Sequence, residues 1–299
     1  MKYQSSNRVL MIRPASFGYN PETAASNVFQ QNLGAEYSTQ ALEEFDAMVD
    51  LLRSEGIAIW LEADQPIPAK PDAIFPNNWL GIHPGKRVVF YPMEAENRRL
   101  ERDPILIERL KQDLSGYSYT DWSSHELAHE FLEGTGSVVL DHIDACIYAC
   151  RSSRTNARLV EELGQLLNYR THIFDSLDEQ GKPYYHTNVM LSIGTQFAVI
   201  CAESIPEVER AEVLDSLRKS GRQLLLISRK QVAAFAGNML EVRNSSEEKM
   251  IILSSTALDA LEASEIAFLQ QFALLLPVDI PTIERIGGGS VRCMLAEVF

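Results

Sequence analysis

Short apolar runs alternate along the chain with longer stretches whose apolar residues recur at helical spacing. Residues 8–14 (RVLMIRP) read as a strand, and residues 38–55 as an amphipathic helix with Ser38 or Thr39 as its cap and Gly56 as its stop. GIAIWLEA follows as a buried strand. AIFPNNWLGIH and RVVFYPM then form a hairpin whose turn is marked by Pro84 and Gly85. The plan repeats: LEGTGSVVLDH and ACIYAC turn around Ile143 and Asp144, and a helix follows with Leu159, Leu163, Leu166 and Leu167 on one face. THIFDS closes that unit. VMLSIG with FAVICA, the helix PEVERAEVLDSLRKSG and the strand QLLLIS make the next. GNMLEVRNSSEEKMIILS, the helix ALEASEIAFLQQFA and LLLPVDI make another. The last run, GGGSVRCMLAEVF, has no helix after it, so its expected partner is the first strand. Pairing first with last removes two exposed sheet edges. The expectation is one catalytic domain over residues 1–299, set against an alternative of two α/β domains divided near Ile173.

Five polar motifs lead into these hairpins: PNNW at Asn78, LEGTG at Glu133, YHTN at His186, AGNM at Asn238 and GGGSVRC at Cys293. They recur about every 54 residues, the signature of one supersecondary unit repeated around an axis. Such a ring brings thiol, imidazole and carboxylate from distant sequence to one centre. A cysteine nucleophile needs a nearby base or cation, and a histidine needs an orienting partner. Cys293, His186 and Glu133 offer one of each at equivalent positions. Taken singly each has a plainer reading: a glycine-rich turn, a polar residue at a strand start, and a carboxylate at the mouth of a turn. Asn238 has no assigned role. HELAH at residues 125–129 matches a zinc-hydrolase pattern, but it is cut short by Gly134 and a strand. A solvated surface turn is the expectation, with no metal.

Charge and composition narrow the function class. A formal charge of −14 argues against nucleic-acid binding, which needs a basic face, and leaves a small polar substrate open. The chain lacks an apolar leader or a run long enough to span a membrane, so a cytoplasmic location without membrane attachment is the default. Four cysteines without CxxC pairing read as free thiols. Cys146, Cys150 and Cys201 lie in apolar strands, whereas Cys293 follows three glycines and Arg292. Oligomeric state is not legible, and a homo-oligomer is only a default.

The motifs together resemble the guanidino-group-modifying enzymes of the pentein superfamily: arginine deiminases, dimethylarginine hydrolases and amidinotransferases. LEGTG is similar to that family's glutamate motif, YHTNVML to its histidine motif, GGGSVRCM to its nucleophile motif, and SSRTNAR to a segment of the dimethylarginine hydrolases. The resemblance implies an α/β fold, a five-bladed ββαβ propeller with pseudo-fivefold symmetry and its site on the axis. It implies Cys293 as nucleophile, His186 as general acid/base and Glu133 as the orienting carboxylate. Arg154 would hold the substrate carboxylate, with Arg98, or Arg99 beside it, as a second candidate.

Two departures bear on the substrate. Where arginine deiminases carry aspartates that grip a guanidinium, this chain reads Asn78 (or its neighbour Asn77) and Asn188. A carboxylate pair prefers a cation, whereas an asparagine offers a neutral acceptor and two donors. The exchange points toward citrulline and resembles the CtlX-like citrulline hydrolases, which release ornithine, carbon dioxide and ammonia. Arginine dihydrolase and arginine deiminase activities are the alternatives, and a non-catalytic binding scaffold is a third. No metal or organic cofactor is required, since thiol and imidazole supply nucleophile and proton transfer.

Overall fold

The computed structural model describes residues 3–34 and 37–299. Among the described residues the strands form five three-stranded sheets. The first holds β1 (Arg8–Arg13), β2 (Ala58–Ala63) and β15 (Ala296–Glu297); the second β3 (Leu80–His83), β4 (Arg87–Phe90) and β5 (Ser118–Asp121). The third holds β6 (Val139–Asp141), β7 (Cys146–Cys150) and β8 (Arg170–Phe174). The fourth holds β9 (Leu191–Ile193), β10 (Phe197–Ile200) and β11 (Gln223–Leu226); the fifth β12 (Leu240–Arg243), β13 (Lys249–Ser254) and β14 (Leu274–Val278). In every sheet the first two strands are antiparallel, and a helical crossover then returns the chain to a third strand parallel with the middle one. The first sheet obeys the rule across the ends of the chain: β15 pairs antiparallel with β1, Leu10 opposite Ala296. The expected first-to-last pairing is therefore present.

Middle strands such as β7 and β10 are buried along their whole length. That is why they read as continuous apolar runs and not as alternating ones. The crossover helices supply the other apolar layer. Ala157–Leu167 turns Leu159, Val160, Leu163 and Leu167 inward and starts at Asn156, whose side chain accepts from the amides of Arg158 and Leu159. That satisfies two of the amides a helix start leaves open. It ends at Asn168 in the left-handed conformation, φ 64°, a position that asparagine tolerates. The helix Ser38–Ser54 lies within a residue of its expected bounds. Pro104–Asp113 and β5 complete the second unit where the apolar pattern indicated neither; Asp103 caps that helix ahead of Pro104.

The turns that lead into the inner strands meet around the centre. Gly134–Ser137 packs on both Pro76–Asn78 and Thr187–Val189, and Pro76–Asn78 packs on Val291–Met294. Asn238 closes the circle: its side-chain amide donates to the Asn188 carbonyl at 3.0 Å and accepts from the Arg292 amide at 3.1 Å. The five motifs are thus five turns in mutual contact.

Candidate active site

The LEGTG turn sets the centre. Gly134 holds φ +46°, and a Cβ there would lie 2.2 Å from the Asn77 carbonyl; at Gly136 it would lie 2.5 Å from Asn78 Nδ2 and 2.6 Å from His186 Nδ1. Glycine is what lets three motifs touch. Glu133 is fully buried at the head of this turn. Its Oε2 lies 2.8 Å from His186 Nε2 and 3.3 Å from Arg154 Nη1, and its Oε1 accepts from the Glu94 amide. Burial alone would raise this carboxyl. Arg154, His186 and Arg98 outweigh that and hold it well below the ordinary carboxylate range. Burial pushes His186 down to about 4, against the pull of Glu133. At neutral pH the site therefore holds a carboxylate and a neutral imidazole whose Nε2 proton is directed at Glu133.

Cys293 sits on a short 3-10 turn, Val291–Met294, and not on the strand that follows. It lines one buried cleft with His186, Asn78, Arg98, Arg154 and Gly289. Burial raises its thiol, with hydrogen bonding from Asn238 acting the other way. The expected thiol, imidazole and carboxylate are therefore gathered at one place.

The candidate substrate-binding residues separate. Asn78 lines the cleft, whereas Asn77 does not and turns its side-chain amide to Thr135. Asn78 Oδ1 accepts from Arg98 Nη1 at 2.8 Å. A guanidinium only donates, so the orientation of that amide is forced, and Nδ2 is left buried without a partner. Asn188 stands on the far side of the thiol: it lines a second cavity with Ser192, Glu241 and Arg292, and its Nδ2 is 3.8 Å from Cys293 Sγ. It is not part of the cleft wall.

Arg98 faces the cleft while gripping Glu101 through two bonds of 2.7 and 2.9 Å. Arg99 points elsewhere, to the carbonyls of Met93 and Glu94 and toward Glu126. Arg154 lines the cleft but spends most of its donors on Glu133, the Thr23 carbonyl and Ser26 Oγ. It thereby ties the segment around Pro21–Ala24 over the site. Around HELAH the chain forms a 3-10 turn, Ser123–Ala128. Its Glu126 is buried, not solvated: it accepts from the Met93 amide and pairs with Arg102. His125 pairs with Glu130.

Several cleft residues were given no role by the sequence reading, among them Asp72, Asn27 and, inside the YHTN motif, Tyr185. Asp72 is buried, accepts from Asn20 and Thr23 through Oδ2, and leaves Oδ1 without a partner. Tyr185 packs on His186 with 4.6 Å between centroids and the rings tilted by 47°, lies under Arg154, and donates to the Gly288 carbonyl. Asn27 reaches the same glycines from the other side. Only a signal of position was available for Asp72, three residues ahead of Phe75 in the first motif.

A family model described as "N,N dimethylarginine dimethylhydrolase, eukaryotic" matches residues 13–299. The chain belongs to that family. No curated protein matches it. Within the dimethylarginine dimethylhydrolase family and its wider guanidino-modifying superfamily, solved structures share its fold. The N-terminal domain of ArgZ, in an asparagine-to-serine variant covalently bound to a reaction intermediate, superposes with TM-score 0.77 at 15% identity, over 98% of this chain and 97% of that one. Unliganded AgrE gives TM-score 0.77 at 18% identity. The chain spans about 40% of whole ArgZ, an arginine dihydrolase from the ornithine-ammonia cycle in cyanobacteria, and 39% of AgrE. The dimethylarginine hydrolase of Pseudomonas aeruginosa, in a cysteine-to-serine variant complexed with citrulline, gives 0.70 at 17% identity, over 98% and 99%. The five ββαβ modules described above are the pentein arrangement of these proteins. Among the described residues, no helix is long and apolar enough to cross a membrane.

Proposed function

We propose that this protein is a cysteine-dependent hydrolase of the terminal carbon of an arginine-like amino acid, with the neutral ureide citrulline as its preferred substrate. The reading rests on the forced orientation of Asn78. Its buried, unpartnered N–H, packed beside Gly136 and His186, has no partner in a guanidinium, which offers only donors. It has one in the carbonyl oxygen of a ureido group, and leaving such a donor unmet in a buried site costs about 1–3 kcal/mol. Arg98, lying behind the same amide, further disfavours a cation there. Asp72, with one oxygen free, suits the α-ammonium of an amino acid, and Arg98 and Arg154 bring positive charge for its carboxylate.

The chemistry follows from the geometry. The Cys293 thiol passes its proton to His186, Sγ attacks the ureido carbon, and the imidazolium delivers that proton to the departing nitrogen. Glu133 stabilises the imidazolium during transfer, as an orienting carboxylate does for a catalytic histidine. If the ornithine amine leaves first, an S-carbamoyl adduct remains; water adds to it, and the carbamate released breaks down to carbon dioxide and ammonia. One water is consumed for one ornithine, one ammonia and one carbon dioxide.

Arginine dihydrolase is the second reading, supported by the fold shared with ArgZ. Such an enzyme passes a ureido intermediate through the same site, and Asn78 would serve that half of the cycle. Product analysis separates the readings. Citrulline giving ornithine and ammonia, with arginine poor, is the expected result. Arginine giving ornithine and two ammonias would establish the dihydrolase; arginine giving accumulated citrulline, or methylated arginines giving citrulline, would overturn the ureide preference.

A further inference from the structure

Asn238 heads the one motif for which the sequence offers no role, and it touches the thiol. Its Nδ2 is 3.4 Å from Cys293 Sγ. Both ends of its carboxamide are fixed by groups that admit one orientation only. Oδ1 faces the Arg292 amide, which must donate, and Nδ2 faces the Asn188 carbonyl, which must accept. The N–H side is therefore held nearer the sulfur, with Oδ1 at 3.8 Å, where it accepts from the un-ionised thiol. Asn188 Nδ2 stands at 3.8 Å as a weaker second donor.

A thiol of this kind is commonly ionised by a histidinium or a neighbouring cation; here the imidazole is neutral, and Arg292 favours the thiolate less strongly than Asn238 does. His186 spends Nε2 on Glu133. Arg292 turns its guanidinium to the Leu295 carbonyl and to Glu297. The remaining charged or titratable groups around the thiol are Tyr185 and, across the cleft, Arg98, Arg154 and Glu133. A neutral ureide brings no cation of its own.

We propose that Asn238 is a catalytic residue that stabilises the Cys293 thiolate by hydrogen bonding, with Asn188 as a lesser partner, once the thiol proton has passed to His186. The proposal rests on Cys293 being the nucleophile. Amide donors stabilise a thiolate without competing for the substrate's recognition groups. The same carboxamide also ties the turns at Asn188 and Arg292 together, so ionisation and placement of the sulfur are separable only by experiment.

The test is the pH dependence of Cys293 alkylation by iodoacetamide, read by peptide mass mapping because Cys146, Cys150 and Cys201 are also free thiols. Hydrogen bonds to charged groups are worth enough to predict a rise of about one pH unit in the alkylation midpoint of Asn238→Ala. That is about tenfold slower labelling below the midpoint, with the limiting high-pH rate within about twofold. Asn238→Asp, which keeps the acceptor for Arg292 but loses the donor, should rise further. Asn188→Ala should rise less, and it leaves the Arg292 tie intact, so it carries the test if the Asn238 variants do not fold. An unchanged midpoint in the folded variants, or a lowered limiting rate at an unchanged midpoint, overturns the proposal. Full activity in Cys293→Ala would instead remove the nucleophile assignment.

Discussion

Glu133 answers to three cations or near-cations, and the neutral variant shows what each is for. In Glu133→Gln, His186 loses the acceptor for its Nε2 proton and the buried Arg154 loses a counter-charge. We expect kcat to fall by about 10²- to 10⁴-fold, measured on citrulline, with a smaller effect on binding. On the proposed reading, Asn78 governs choice of substrate and not rate in general. Since Asn188 lies outside the cleft, Asn78→Asp alone should invert preference: a carboxylate facing the cleft repels a ureido oxygen and accepts from guanidinium N–H groups. The ratio of kcat/KM for citrulline over arginine should fall at least about tenfold. An unchanged ratio would remove the specificity argument.

At the level of elements, the site is made by turns and the stability by helices and sheets, so substitutions should divide accordingly. Gly136→Ala puts a methyl within 2.6 Å of His186 and Asn78; activity should be lost with only a modest drop in Tm. Leu163→Ala, buried under the crossover helix of the third sheet, should cost about 2–5 kcal/mol in denaturant unfolding and leave KM unchanged. The apolar pattern predicted most hairpins and crossovers because middle strands are buried on both faces and helices on one. It was silent at Pro104–Asp113, where only Ile105, Leu106, Ile107 and Leu110 interrupt charge, although Asp103-Pro104 was a legible cap. The gathering of Cys293, His186 and Glu133 was legible because equivalent positions in a repeat converge. Asp72 was not: it reaches the cleft from a loop outside the motif turns, and no periodicity marks such a loop; Tyr185 stands inside YHTN, but nothing in the pattern marks it as a cleft residue. Arg98 was legible only as an arginine at a suitable distance, since its bonds to Glu101 and Asn78 depend on how a short helix, Glu96–Arg99, folds back on the first motif.

Across the whole molecule, buried titrating groups set the response to acid. Burial pushes His83 and His186 down to about 4 each. The unfolded chain binds their protons near pH 6.5 while the folded chain does not, so stability falls as pH drops from about 6.5 to about 4, by about 3 kcal/mol per histidine at most. Glu133, held low in the fold, adds to the same acid limb once pH falls below the ordinary carboxylate range. Unfolding free energies across that window should show the slope, and His83→Gln should remove one histidine's share. A flat profile would mean that both rings protonate without leaving the fold. The pairing of β1 with β15 has a consequence in time. The ribosome delivers the carboxylate and imidazole long before the sulfur, and the strand that seals the ring arrives three residues after Cys293. On the proposed reading, a nascent chain carries no armed centre until this segment has emerged: reactivity and closure are acquired together.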